Sequence, residues 1–128
     1  MKVSIDFDGT LWSHMNFFRE FMKAMQAQGH QVGMLTGHKQ ESEEHDIAKM
    51  EEYNFPRPDF FFGRTPEYMH LNGAHYKSDM IVKHNIDIHF DDFDYDHPDT
   101  KKIFDSRQDV RKKIFKVEWK PPRSSKQE

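Results

Sequence analysis

Short apolar segments of this chain alternate with stretches of helical periodicity, and this alternation constrains the fold more than any other feature. We predict that the apolar segments are strands, and they occupy residues 2–7, 31–37, 59–63, 86–92 and 113–119. Helical stretches, rather than tight turns alone, separate consecutive strands, as expected for parallel strands joined by crossovers. We therefore expect a three-layer α/β/α, Rossmann-like fold with a central, mainly parallel five-stranded sheet.

The connecting segments carry the apolar spacing of amphipathic helices. In the first, Ser13 and Gly29 are the expected caps, and the apolar face consists of Phe18, Phe21, Met22 and Met25. The second presents a thin apolar face of Ile47, Ala48 and Met50. This second helix is predicted over residues 40–53. Two further helices are predicted over residues 77–84 and 98–104, and a loop over 64–76.

Length and composition place the chain among globular proteins of one domain. It has 128 residues, 35% of them hydrophobic, and we expect one domain over residues 1–119 followed by a disordered basic tail over 120–128. Cysteine is absent, which excludes disulfides and thiolate metal sites. No apolar run approaches the roughly 20 residues that cross a bilayer, so we expect a cytoplasmic protein without a membrane partner.

Polar residues and glycines lie at or just beyond the carboxyl ends of four of the predicted strands. They are Asp6, Asp8 and Thr10 after the first strand, Thr36, Gly37 and His38 after the second, Gly63 and Arg64 after the third, and Asp91 and Asp92 after the fourth. Ligands of open parallel sheets bind beyond the carboxyl ends of the strands. These residues are therefore expected to meet in one site.

Four of these side chains are carboxylates, and their mutual repulsion requires a cation. An all-oxygen ligand set without cysteine suits a hard ion, and Mg²⁺ fits best. Asp6 could serve both as a metal ligand and as a nucleophile that attacks phosphorus. Asp8, two residues further on, could act as a general acid and then as the base that activates water.

The remaining candidates would hold a phosphoryl group. Gly9 allows a tight turn that presents backbone N–H groups, while Thr36 offers a hydroxyl and Gly37 an accessible N–H. Lys77, at the start of a predicted helix, could offset the excess negative charge. The other candidates for substrate contact are Thr10, His38 and Arg64.

Taken in order, these motifs resemble those of the haloacid dehalogenase (HAD) superfamily of phosphatases. The family's Asp-x-Asp-Gly-Thr motif corresponds to DFDGT at residues 6–10, and its second motif to GMLTG, which contains Thr36. Lys77 matches the family's lysine, which precedes the last motif strand. Asp91 and Asp92 match the family's acidic pair at the end of that strand. The four motifs together cover residues 3–96, and as an ordered set they are a specific signal.

The resemblance implies a role for each matched residue. Asp6 would be the nucleophile and Asp8 the acid and base, while Thr36 and Lys77 would complete the catalytic set. Mg²⁺ would be held by Asp6, by the main-chain oxygen of Asp8 and by one of the acidic pair, with Asp92 favoured over Asp91. Lys83 competes with Lys77 for the lysine role, but it falls late in the predicted helix.

The family often carries a cap domain, and this chain has no room for one. One helix and a loop separate Asp6 from Thr36, and the stretch from Gly37 to Lys77 holds only a helix, a short strand and a loop. The chain therefore resembles the capless members, whose open sites act on large phosphorylated substrates such as nucleic-acid ends or proteins. A nucleotide or other small substrate would need a lid from the loop at 64–76 or from a second protomer of a homo-oligomer.

Two further interpretations stay open. Cations are concentrated in residues 107–126, which could form either a solubilising edge strand and tail or a weak footprint for a nucleic-acid backbone. The chain could also be a phosphate-binding or protein-interaction module that has kept the fold and lost turnover. A receiver-type signalling domain does not fit, because its phosphorylated aspartate ends the third strand, where this chain has Gly63 and Arg64.

Overall fold

The computed structural model describes residues 1–118 and contains the predicted sheet. Its five strands are β1 (Lys2–Ile5), β2 (Gln31–Lys39), β3 (Phe61–Arg64), β4 (Ile88–Asp91) and β5 (Ile114–Lys116). They lie in the order β3-β2-β1-β4-β5, and every neighbouring pair is parallel. The predicted α/β class and Rossmann-like layering are thus confirmed, with a sheet that is parallel throughout.

Within residues 1–118, five α-helices connect the strands and form the outer layers. They are α1 (Met15–Ala27), α2 (Glu43–Glu52), α3 (Gly73–Lys83), α4 (Pro98–Asp105) and α5 (Gln108–Arg111). One core contains Val3 and Ile5 of β1 together with buried side chains of α1 and α2. The other core contains Leu35 of β2 and buried side chains of α3, α4 and α5. The alternation along each strand thus supplies both faces of the sheet.

Several element boundaries differ from the predictions. The third helix begins at Gly73, where the Asn72 side chain accepts the N–H of Ala74 as an N-cap, so Lys77 lies inside α3 rather than at its start. The first helix begins at Met15 with His14 in the capping position instead of Ser13. The sequence reading also missed α5, whose single turn is too short to produce a periodic pattern.

Side-chain exposure differs from the prediction in α2, and in β5 it alternates between neighbouring residues. Ala48 is exposed, and its expected place on the buried face of α2 is taken by Asp46. In β5 the side chain of Ile114 is buried while that of Phe115 is 53% exposed. Trp119 and the predicted disordered tail over 120–128 lie outside the described residues.

The connections leave the carboxyl edge of the sheet without a covering domain in residues 1–118. Only the turn Phe7–Leu11 and α1 lie between β1 and β2, and α2, β3 and two short 3₁₀ turns lie between β2 and α3. Within the same residues, none of the helices has the length and apolar character needed to cross a membrane.

Candidate functional site

The chain leaves β1 through a tight turn that places the first two aspartates at the carboxyl edge of the sheet. The turn spans Phe7–Leu11 and is closed by the N–H of Leu11, which donates to the Asp6 carbonyl at 3.1 Å. Gly9 has a φ of 76°, in the left-handed region that glycine adopts without strain. The turn keeps the Asp6 side chain buried, while that of Asp8 is 77% exposed.

Lys77 bridges two buried carboxylates at the centre of the site. Its Nζ atom lies 3.0 Å from Asp6 Oδ1 and 2.8 Å from Asp91 Oδ2, and all three side chains are at most 10% exposed. Lys77 reaches them from the middle of α3. The predicted association of Asp6, Lys77 and the acidic pair at the end of β4 is therefore present in the structure.

Burial and charge act in opposite directions on this cluster. Burial raises the pKa of Asp6 to about 7, although the ammonium of Lys77 partly opposes it. Burial also disfavours ionisation of Asp91, but Lys77 and the hydrogen bond from His89 outweigh it and hold the pKa of Asp91 far below its usual range. The two carboxylates raise the pKa of Lys77 despite its burial, so the ammonium stays charged.

Asp6, Asp91 and Asp92 can each direct one carboxylate oxygen to a common point. Those three oxygens lie within 4.8 Å of one another. Asp92 is half-buried, and its pKa is raised mainly by burial and also by the neighbouring charge of Asp91. Three convergent carboxylates with one lysine leave an excess of negative charge, which a hard divalent cation such as Mg²⁺ would neutralise. The donor set thus fits the cation that the sequence suggested.

A buried histidine that the sequence analysis missed fixes Asp91. His89 Nε2 lies 2.8 Å from Asp91 Oδ2, and His89 Nδ1 lies 2.7 Å from Ser4 Oγ. The Asp91 carboxylate also accepts the N–H of Asp92 at Oδ1, so both of its oxygens have partners. The sequence contains a signal for these contacts. His89 and Asp91 are two residues apart on one strand and so share a face, and the polar Ser4 interrupts the apolar run of β1.

A second histidine, His38, holds the exposed Asp8. Its Nε2 atom lies 2.7 Å from Asp8 Oδ2, and its Nδ1 atom lies 3.0 Å from Oδ2 of the buried Asp46. Burial lowers the pKa of His38, but the hydrogen bonds to Asp8 and Asp46 raise it by more, and the net pKa is above its usual value. Asp46 was not among the sequence-predicted site residues, although it precedes Met50 by one helical turn on the buried face of α2.

The end of β2 departs from regular pairing where the predicted phosphate-binding residues lie. Leu35 pairs with Phe62 and Lys39 with Arg64, so β2 carries two extra residues across this interval. Thr36 is buried, and its hydroxyl oxygen accepts the backbone N–H of His38 at 3.0 Å, whereas Gly37 is half-buried. The irregularity leaves Thr36, Gly37 and His38 outside the regular pairing of β2 with β3.

Glycine is required on the β3 side of the same interval. A Cβ atom at Gly63 would lie 2.7 Å from the backbone of Gln40, and the Gln40 side chain accepts the Gly63 N–H at 2.7 Å. The Tyr76 hydroxyl donates to the Gly63 carbonyl at 2.6 Å. These contacts fix the ends of β2 and β3 against each other and against α3.

The other candidate substrate residues differ in accessibility. Thr10 is fully buried, and its hydroxyl has no hydrogen-bond partner among residues 1–118, so it offers no exposed group to a substrate. Arg64 is half-buried, and its Nη1 atom donates to the Leu71 carbonyl at 3.1 Å. Its Nη2 atom lies close to Gly37, at 3.5 Å from the position of an added Cβ. The guanidinium thus borders the end of β2.

Several groups expected near a substrate have partners inside the fold. The Tyr68 hydroxyl, in the segment 64–76 that was predicted as a loop and possible lid, donates to Asp79 at 3.2 Å. In the basic segment, Arg107 pairs with Asp79 at 2.7 Å, the Arg111 guanidinium stacks on Tyr95, and Lys116 donates to the Phe93 carbonyl. These contacts favour a structural role for the described part of that segment. Lys112 is exposed and Lys113 half-buried, while the cations at 120, 123 and 126 lie outside the described residues.

Comparisons of this chain with models of protein families, with curated proteins and with solved structures found no match.

Proposed function

We propose that this chain is a Mg²⁺-dependent phosphohydrolase of HAD type, which cleaves phosphomonoesters through an aspartyl-phosphate at Asp6. The observation that carries the proposal is the buried cluster in which Lys77 bridges Asp6 and Asp91, with Asp92 beside them. The lysine and the metal would stabilise the charge of a transferring phosphoryl group. The order of the four motifs along the chain supports the same proposal.

The proposed reaction has two balanced steps. In the first, an Asp6 carboxylate oxygen bonds to phosphorus, the bond from phosphorus to the substrate oxygen breaks, and Asp8 gives its proton to that oxygen. In the second, Asp8 takes a proton from water, the water oxygen bonds to phosphorus, and Asp6 leaves as a carboxylate. The products are an alcohol and inorganic phosphate, and Asp8 regains its proton.

The Mg²⁺ ion would be held by Asp6, by the main-chain oxygen of Asp8 and by Asp92. We favour Asp92 over Asp91 because both Asp91 oxygens already accept hydrogen bonds, from Lys77 and His89 at one and from the Asp92 N–H at the other. When bound, the ion would withdraw electron density from the phosphoryl oxygens and neutralise the carboxylates. Gly37, with Arg64 beside it, would contact the phosphoryl group, whereas Thr36 is buried and its hydroxyl oxygen accepts the His38 N–H.

An uncovered sheet edge favours a large phosphorylated substrate, such as a nucleic-acid end, over a small one. Within residues 1–118 no domain covers this edge, and Tyr68 is bonded to Asp79 rather than free to close over it. A nucleotide remains the rival substrate, and it would require a lid from a second copy of the chain.

The proposal is tested by a screen of phosphorylated compounds with the full chain. We expect release of inorganic phosphate in the presence of Mg²⁺ and loss of this activity after chelation by EDTA, with recovery when Mg²⁺ is restored. The screen should contain 3′- and 5′-phosphorylated oligonucleotides, nucleotides, sugar phosphates and p-nitrophenyl phosphate. If the protein binds phosphate analogues but hydrolyses none of these compounds, a binding module is the better account.

A further inference from the structure

His38 connects the exposed Asp8 to a buried carboxylate. The chain of contacts runs from Asp8 Oδ2 to His38 Nε2 at 2.7 Å, and from His38 Nδ1 to Asp46 Oδ2 at 3.0 Å. We propose that His38 and Asp46 are positioning residues that hold the Asp8 carboxyl in the orientation required for proton transfer. This inference rests on the proposed function, and it assigns His38 a role other than direct substrate contact.

Asp8 requires such support because of where it lies. Its side chain is 77% exposed, so it would otherwise sample several rotamers, and only some would direct an oxygen at a bound substrate. Its two partners are far better fixed. The His38 ring stacks on the buried Phe7 ring with centroids 5.3 Å apart, and the His38 backbone N–H donates to Thr36. Asp46 projects from the buried face of α2.

The bonding pattern also determines which atom is left for chemistry. The Asp46 carboxylate can only accept a hydrogen bond, so His38 Nδ1 carries a proton towards it. The contact of His38 Nε2 with Asp8 Oδ2 at 2.7 Å fixes the carboxyl group through this oxygen and leaves the other oxygen, Oδ1, to face a substrate.

Direct substrate binding by His38 is less consistent with this geometry. Both ring nitrogens are within 3.0 Å of a carboxylate oxygen, and one ring face lies on Phe7. A substrate phosphate would have to displace one of these contacts, and a carboxylate on each side would repel it.

Two substrates that differ only in their need for a general acid give a selective test. An alkyl phosphate such as glycerol 2-phosphate has a poor leaving group that must be protonated, whereas p-nitrophenol leaves as an anion. We expect His38→Ala to lower kcat/KM about 100-fold for the alkyl phosphate and less than about 3-fold for p-nitrophenyl phosphate. Asp46→Asn should act in the same direction by about 10-fold, and His38→Gln, whose amide can still donate, should recover part of the loss.

The control is His45→Ala, because His45 is an exposed histidine on α2 next to Asp46, and this change should leave both rates unchanged. Equal losses for the two substrates in His38→Ala and Asp46→Asn would overturn the inference, since they would indicate a general structural effect. If circular dichroism shows that His38→Ala does not fold, the same comparison is made with Asp46→Asn and His38→Gln. A larger loss of kcat/KM for the alkyl phosphate than for p-nitrophenyl phosphate supports the inference, and equal losses overturn it.

A double-mutant cycle tests whether His38 acts through Asp8. In an Asp8→Asn background, His38→Ala should lower alkyl phosphate hydrolysis no further, because the group that it positions is already lost. An additional loss as large as that in the native background would show that His38 acts independently and would overturn the inference. A native protein that hydrolyses none of the screened phosphorylated compounds would instead refute the proposed function, and the positioning role with it.

Discussion

Replacing Lys77 with methionine is expected to lower the free energy of unfolding by about 3–5 kcal/mol at neutral pH without added metal. Methionine can fill much of the volume of the lysine stem, but it removes the only cation within hydrogen-bond distance of Asp6 and Asp91 among the described residues. Two carboxylates that are at most 10% exposed would then face each other and Asp92 without a counter-charge. Denaturant unfolding monitored by circular dichroism measures the change.

Acid and Mg²⁺ should each reduce the deficit of Lys77→Met. Lys77 holds the pKa of Asp91 in the folded chain well below its value in the unfolded chain. The stability from this pairing is therefore fully present when the pH is above the unfolded-state pKa, and it is lost as the pH falls through the folded-state pKa. The difference from the native protein should therefore shrink in acid, where the carboxylates become neutral in both proteins. Mg²⁺ should stabilise the variant more than the native protein, because it would replace the missing positive charge.

Lys83→Met is the matched control for this prediction. Lys83 lies on the same helix as Lys77 and is exposed, so its replacement should change the free energy of unfolding by no more than about 0.5 kcal/mol. If the two variants unfold at the same denaturant concentration, the buried charge cluster does not contribute in the way described.

Replacing Asp6 with asparagine is expected to reduce phosphomonoester hydrolysis by at least about 10⁴-fold, because the amide cannot attack phosphorus. The fold should tolerate this change. Burial already raises the pKa of Asp6 to about 7, so a neutral side chain suits the position, and Lys77 keeps its pairing with Asp91. The asparagine carbonyl oxygen can still serve as a metal ligand, and the assay should be made at Mg²⁺ concentrations that saturate the native protein.

Asp99→Asn controls for the loss of one carboxylate elsewhere in the chain. Asp99 is exposed in the first turn of α4, and its replacement should leave the rate unchanged. Turnover by Asp6→Asn within tenfold of the native rate would refute a covalent role for Asp6.

The sequence was most informative where a residue's position depends on strand periodicity and topology. Asp6 and Asp91 end neighbouring parallel strands, so their proximity follows from the predicted sheet once β1 and β4 are recognised. The position of Lys77 within α3 was not predictable in this way. Helix starts are set by local capping, and the N-cap Asn72 lies in a segment whose pattern predicts a loop.

The sequence was least informative about polar groups that are buried among apolar ones. Asp46 lies in a segment rich in charged residues, and only the packing of α2 distinguishes it from its exposed neighbours Glu44 and His45. His89 lies between the apolar residues Ile88 and Phe90 of β4, and its pairing with Ser4 depends on the register between β1 and β4. Such contacts depend on tertiary geometry, which residue spacing alone does not determine.

The central claim is that Asp6 forms a covalent bond with phosphorus, and an Asp8→Asn variant tests it most directly. With p-nitrophenyl phosphate and Mg²⁺ this variant can complete the first step, because the leaving group needs no proton, but it lacks the base for the second step. We expect a burst of one nitrophenolate per chain, and after acid quench the mass of one phosphoryl group on the peptide that contains Asp6. Nitrophenolate release that leaves this peptide unmodified, or a phosphoryl group on a different residue, would contradict the account.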